Sequence, residues 1–140
     1  MTAKVIVDTG PLVALLNRRE AQHDWTRARL AEIKPPLLTC EAVLSEACFL
    51  LRSVHSGPSA VMATLSSGLA EIAFSLEEQA PNVKELMERF SSVLMSLADA
   101  CIVRMAETLP GSSVLTFDSD FFIYRKNRNE AIPVMLPEIS

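Results

Sequence analysis

The chemistry open to this chain lies in its acids. Its five aspartates stand at positions 8, 24, 99, 118 and 120. Asp8 closes the short β-branched run Lys4-Val5-Ile6-Val7, and Asp118 follows the run Ser113-Val114-Leu115-Thr116-Phe117. Two further acids interrupt apolar helical patterns. Glu46 has Ala42 and Val43 four and three residues before it and Phe49 and Leu50 three and four after it. Residues so spaced share one helix face, so Glu46 is expected to project from an apolar stripe. Asp99 is followed at the same spacings by Ile102 and Val103. A carboxylate among apolar neighbours is costly unless it is paired or coordinates a cation. Asp8, Glu46, Asp99 and Asp118 approaching one edge of a sheet would suggest a metal. Ligation by carboxylate oxygens alone suits a hard divalent ion, Mg2+ or Mn2+, and disfavours zinc, which takes His or Cys.

Each acid also has a purely structural reading. Asp8, before Thr9-Gly10-Pro11, suits a turn that caps the next helix. Ser96-Leu97-Ala98-Asp99 is close to a capping box. Asp118-Ser119-Asp120 suits an Asx-type turn, and Glu46 could pair with Arg52 or Arg104. Their joint placement, rather than any one acid, favours a site. The histidines add nothing to it, because His23 sits in a charged helix and His55 near a helix end. Walker A, G-x-G-x-x-G and G-x-S-x-G strings are all absent, which removes the usual marks of nucleotide-triphosphate, dinucleotide and serine-hydrolase sites.

The elements that must hold these acids alternate along the chain. Short apolar runs at 4–7, 37–39, 71–75 and 113–117 read as strands, with 132–135 a possible fifth at an edge, where proline is tolerated. Helical spacing fills the gaps, over about 20–34, 40–54, 59–69, 77–90 and 97–109, with Pro35-Pro36, Gly57-Pro58 and Pro110-Gly111 as breaks. Strands separated by helices call for a parallel sheet in a three-layer α/β/α sandwich, with ligands outside the carboxyl ends of the strands where strand order reverses. Neither a repeat nor a linker divides residues 1–140, so one domain is expected. Asp8-Thr9-Gly10 is also the tripeptide of aspartic proteases, but those need a β-rich chain, and here the tripeptide runs straight into a helix.

Composition bounds the rest. The 140 residues are 49% apolar, with 17 acids, 13 bases and a formal charge of −4. That excludes a disordered chain and, taken alone, argues against a nucleic-acid partner, whose usual footprint is a basic excess. No run approaches the roughly 20 apolar residues that span a bilayer. The N-terminus carries Asp8, Gly10 and Pro11 where a signal peptide would be apolar, so a cytoplasmic protein without a membrane partner is expected. Cys40, Cys48 and Cys101 read as reduced core thiols. From Ala47 to Ala70 the only ionisable side chains besides Cys48 are Arg52 and His55, which predicts an exposed apolar patch and a partner interface.

Four strings, V-D-T-G-P-L-V-A-L-L-N, T-C-E-A-V-L-S-E-A, M-S-L-A-D-A-C-I-V-R-M-A-E and V-L-T-F-D-S-D-F-F, occur in that order between residues 4 and about 124. Together they resemble the motifs of PIN-domain proteins, particularly the VapC-type toxin ribonucleases. The resemblance implies an α/β/α sandwich with an acidic pocket that binds Mg2+ or Mn2+ and hydrolyses RNA phosphodiester bonds. It carries Asp8, Glu46, Asp99 and Asp118 over as catalytic acids, with Asp8, Asp99 and Asp118 as metal ligands, Thr116 as a neighbouring hydroxyl and Asp120 as a loop-ordering residue. It also implies a homodimer and a small antitoxin protein as partners. Basic residues available to RNA are Arg18, Arg19, Arg27 and Arg29, then Arg125, Lys126 and Arg128. Two positions depart from the pattern: Ser96 stands where many relatives have an acid, and Leu94 where a relative has proline. The alternatives are another acidic-cluster phosphohydrolase and a catalytically degenerate PIN-like interaction module.

Overall fold

The computed structural model describes residues 4–137. Strand β1 (Val5–Val7) leads into helices α1 (Thr9–Leu16) and α2 (His23–Leu30); β2 (Leu37–Thr39) leads into α3 (Glu41–Leu50) and α4 (Gly57–Ser66). Next come β3 (Ala70–Ile72), α5 (Leu76–Arg89), α6 (Leu97–Thr108) and β4 (Ser113–Leu115), then a small hairpin of β5 (Arg125–Lys126) and β6 (Glu130–Ala131), and finally β7 (Val134–Met135).

Five strands form one parallel sheet in the order β3-β2-β1-β4-β7. Ile6 lies opposite both Leu38 and Val114 at its centre. β1 and β2 are buried along their whole length, as strands covered on both faces must be. The order dictates the layers. Right-handed crossovers stepping β1 to β2 to β3 in one direction put α1 to α4 on one face, and the return step to β4 puts α5 and α6 on the other. Packing follows this division: α1 lies against α2 and α3, α3 against α4, and α5 against α6, which also covers β1 and β4. The expected three-layer α/β/α sandwich is the one observed.

Strand order reverses between β1 and β4, whose carboxyl ends lie side by side. The ladder continues one residue beyond β1, with Asp8 N donating to Leu115 O at 2.9 Å. Close approach at this edge depends on Gly10, where a Cβ would stand 2.9 Å from Phe117 Cδ2. A side chain at position 10 would push Phe117, and Asp118 after it, away from α1.

Several helices end sooner than their apolar spacing suggests. α2 stops at Leu30 and α3 at Leu50, each running out in turns. The β5–β6 hairpin has no counterpart in the sequence reading, because Arg125-Lys126 shows no alternation of apolar and polar residues. Its turn uses left-handed backbone at Asn127 (φ 47°) and Arg128 (φ 74°).

Candidate active site at the carboxyl edge of the sheet

Asp8 is the most constrained of the acids. It is 7% exposed and caps α1, with Oδ1 accepting from Thr9 N at 2.8 Å. Oδ2 accepts from Thr116 Oγ1 at 2.7 Å, and that hydroxyl accepts from Asp118 N at 2.9 Å. Thr116 therefore ties the end of β1 to the segment leaving β4. Asp118 opens a 3₁₀ turn over Ser119–Phe122, its Oδ1 accepting from Asp120 N at 2.9 Å. Asp99 lies in the first turn of α6 and completes a capping box with Ser96. Asp99 Oδ2 accepts from Tyr124 Oη at 2.9 Å and, weakly, from Ser96 N at 3.5 Å.

Glu46 requires a correction. It does not project from a buried stripe: Val43, Leu44 and Ala47 pack inward, while Glu46, Phe49 and Leu50 are exposed. The helical period of about 3.6 residues places Glu46 on the rim of α3 rather than in its core face. Neither suggested arginine pairs with it. Arg52 donates to Phe49 O at 2.7 Å, and Arg104 binds Gln79 and Glu107.

The structural and chemical readings of these acids turn out to be compatible. Cap, capping box and Asx turn are all formed, yet Asp99 Oδ1, Asp118 Oδ2 and both Glu46 oxygens accept no hydrogen bond among the described residues. Electrostatics link the four. Burial raises the Asp8 carboxyl to about 6 against the bonds from Thr116 and Thr9, and the charges of Asp99 and Asp118 raise it further. Asp99 is raised by burial, opposed by the Tyr124 bond and reinforced by Asp118. Glu46 is raised by burial and by Asp99. None of the four has a Lys or Arg ion pair among the described residues. Thr9 Oγ1 is buried without a hydrogen-bond partner, though it lies near enough to Glu46 to favour its charged form.

An uncompensated carboxylate cluster beside an orphaned buried hydroxyl is the donor chemistry a hard divalent cation requires. Among the described residues, no three His, Cys, Asp or Glu side chains already converge tightly enough to hold an ion. The donors fit in type, and their convergence is not preformed.

The surroundings sort the remaining expectations. Arg18, Arg19 and Arg27 are exposed. Arg125, by contrast, is turned onto the carbonyls of Phe122, Ile123 and Tyr124, and Lys126 is buried, so neither offers a free cation to a ligand. Arg29 lies over the Trp25 ring and pairs with Glu32. His23 fastens α2 to α1, with Nδ1 donating to Ala14 O at 2.6 Å. Asp8-Thr9-Gly10 opens a helix beside a parallel sheet, which removes the aspartic-protease reading. The stretch from Ala47 to Ala70 does expose apolar side chains, Phe49 (61%), Leu50 (55%) and Met62 (48%). All three cysteines are free thiols. Among the described residues no helix is long and apolar enough to cross a membrane.

Tyr124 is the site residue that the residue pattern missed. It is the only tyrosine in the chain and is fully buried. A buried tyrosine hydroxyl needs a partner, and that was the signal available.

The PIN domain family model matches residues 5–127. Curated proteins give no match. Among solved structures, a crystal structure of Mycobacterium tuberculosis VapC20, described as a sarcin-ricin loop cleaving toxin, superposes with a TM-score of 0.74. The two chains are 24% identical, over 84% of this chain and 92% of that one, which is a likeness of fold.

Proposed function

The chain belongs to the PIN-domain family, and from that premise we propose that it is a divalent-metal-dependent ribonuclease, the toxin of a toxin–antitoxin pair. The observation that carries the reading is the set Asp8, Glu46, Asp99 and Asp118 near the point of strand reversal, acids without a Lys or Arg partner among the described residues, in which the charges of Asp99 and Asp118 raise Asp8 and that of Asp99 raises Glu46. The fold likeness to an RNA-cleaving toxin supports the choice of RNA as substrate. One domain over residues 1–140 and a cytoplasmic location with reduced thiols complete the proposal.

Asp8, Asp99 and Asp118 would hold Mg2+ or Mn2+. Bound there, such an ion lowers the pKa of a coordinated water and offsets charge developing on the phosphate. The protein supplies orientation. Thr9 N and Thr116 Oγ1 fix both oxygens of Asp8, and Asp120 N fixes one oxygen of Asp118. Glu46 or Asp118, each with a free oxygen, accepts a proton from the attacking water. Arg18, Arg19 and Arg27 offer exposed positive charge to the RNA backbone. The exposed apolar residues of α3 and α4 are the surface for a second copy of the chain, and a cognate antitoxin segment would dock near the acids.

Substitution tests this directly. Asp8→Asn and Asp99→Asn should each abolish Mn2+-dependent cleavage of RNA while far-ultraviolet circular dichroism stays unchanged. Undiminished turnover in either variant refutes the assignment. Mn2+ stabilisation without cleavage of any RNA would favour the degenerate-module alternative.

A further inference from the structure

Asp99 has one close hydrogen bond to its carboxylate, and it comes from another element. Asp8 is held on both oxygens, by Thr9 N and, across the β1–β4 junction, by Thr116 Oγ1, and Asp118 by Asp120 N in its own turn. Asp99 instead accepts a hydrogen bond at 2.9 Å from Tyr124 Oη, 25 residues along the chain. The other donor to the same oxygen, Ser96 N at 3.5 Å, is too long to hold it firmly. Tyr124 has no freedom to move away. It is 0% exposed, and its ring is held edge-on by Phe90 and by Phe121, each with centroids 5.2 Å away. Its own N–H donates to Asp120 O at 3.0 Å. The segment that begins with Asp118 thus ends in a side chain that reaches back to Asp99, coupling the positions of two acids on separate elements.

We propose that Tyr124 is a positioning residue for the metal site: its hydroxyl pins Asp99 Oδ2, which leaves Oδ1 as the oxygen committed to the cation. The inference rests on the metal-dependent reading above. Aspartate has two oxygens and a freely turning carboxylate; without Tyr124, the cation must order that group itself and binds more weakly. Loss of an outer partner of a metal ligand typically weakens affinity by about 10- to 100-fold.

Tyr124→Phe removes the hydroxyl and keeps the ring that fills the core. Mn2+ binding is measured by titration calorimetry on the wild type and this variant, beside melting in chelator to report the fold. The expected result is about 10-fold weaker Mn2+ binding with melting in chelator lowered by only a few degrees, and cleavage that falls at limiting Mn2+ but recovers at saturating Mn2+. Equal affinity in the two proteins overturns the inference and leaves the ribonuclease reading standing. Cleavage that saturating Mn2+ does not restore also overturns it, since the hydroxyl would then act on something other than ligand placement. A wild type that binds no Mn2+ overturns both.

Discussion

A buried carboxyl without a cationic partner is a liability, and Asp8 shows how large a one. Its pKa rises from 3.8 to about 6, chiefly through burial. Between those values the folded protein holds more protons than the unfolded chain, so stability falls as pH rises through that window. At about 1.4 kcal/mol per pKa unit, the ionised form costs roughly 3 kcal/mol. Asp99 and Glu46 are raised in the same direction. In chelator, Asp8→Asn should therefore be more stable than the wild type at pH 7.5, with the advantage vanishing towards pH 4. Urea unfolding across that range measures it, and a difference that does not change with pH refutes it. At this scale much was legible. The caps predicted for Asp8, Asp99 and Asp118 are all formed; the turn fixes one oxygen of Asp118 and leaves the other open, whereas the close bond to Asp99 comes from Tyr124 and not from the cap. Glu46 was picked out by a stripe that proved to be a rim, because spacing identifies a helix face but not which neighbour covers it.

Elements were legible where patterning is strong and lost where backbone geometry overrides it. The buried strands and the apolar face of α6 follow from residue types alone. The hairpin after the last acid does not, since its turn rests on left-handed Asn127 and Arg128 and its strands are charged. Leu94 is a second case. It stands two residues before the cap of α6, 86% exposed, with φ at 59°. A proline, locked near −65°, cannot adopt that conformation. Leu94→Pro should cost at least about 2 kcal/mol, whereas Leu94→Gly, which accepts left-handed backbone freely, should stay within about 1 kcal/mol of the wild type. Thermal unfolding of the two variants decides it, and a Leu94→Pro protein as stable as the wild type would contradict the backbone assignment.

For the whole molecule, the charge of −4 and the apolar surface point to different partners. Setting aside Asp8, Glu46, Asp99 and Asp118 leaves 13 acids and 13 bases, so the deficit sits where a bound cation would offset it. A neutral remainder gives RNA no long-range attraction, and its affinity should be modest and dependent on divalent metal. Apolar exposure is more telling. Phe49 and Leu50 on α3 and Met62 on α4, helices that pack together, remain 61%, 55% and 48% exposed. Arg52 lies over Phe49, its guanidinium 3.9 Å from the centre of the ring. Large exposed apolar side chains on two adjoining helices suit an interface better than bare surface, and a closed pair of copies would present the same surface from both sides. The wild type should therefore self-associate with rising concentration in analytical ultracentrifugation. Phe49→Asp with Met62→Asp should give a monomer with unchanged far-ultraviolet circular dichroism and a melting temperature that no longer depends on protein concentration, because neither side chain belongs to the buried core. A wild type that stays monomeric at high concentration would leave this surface to the antitoxin rather than to a second copy.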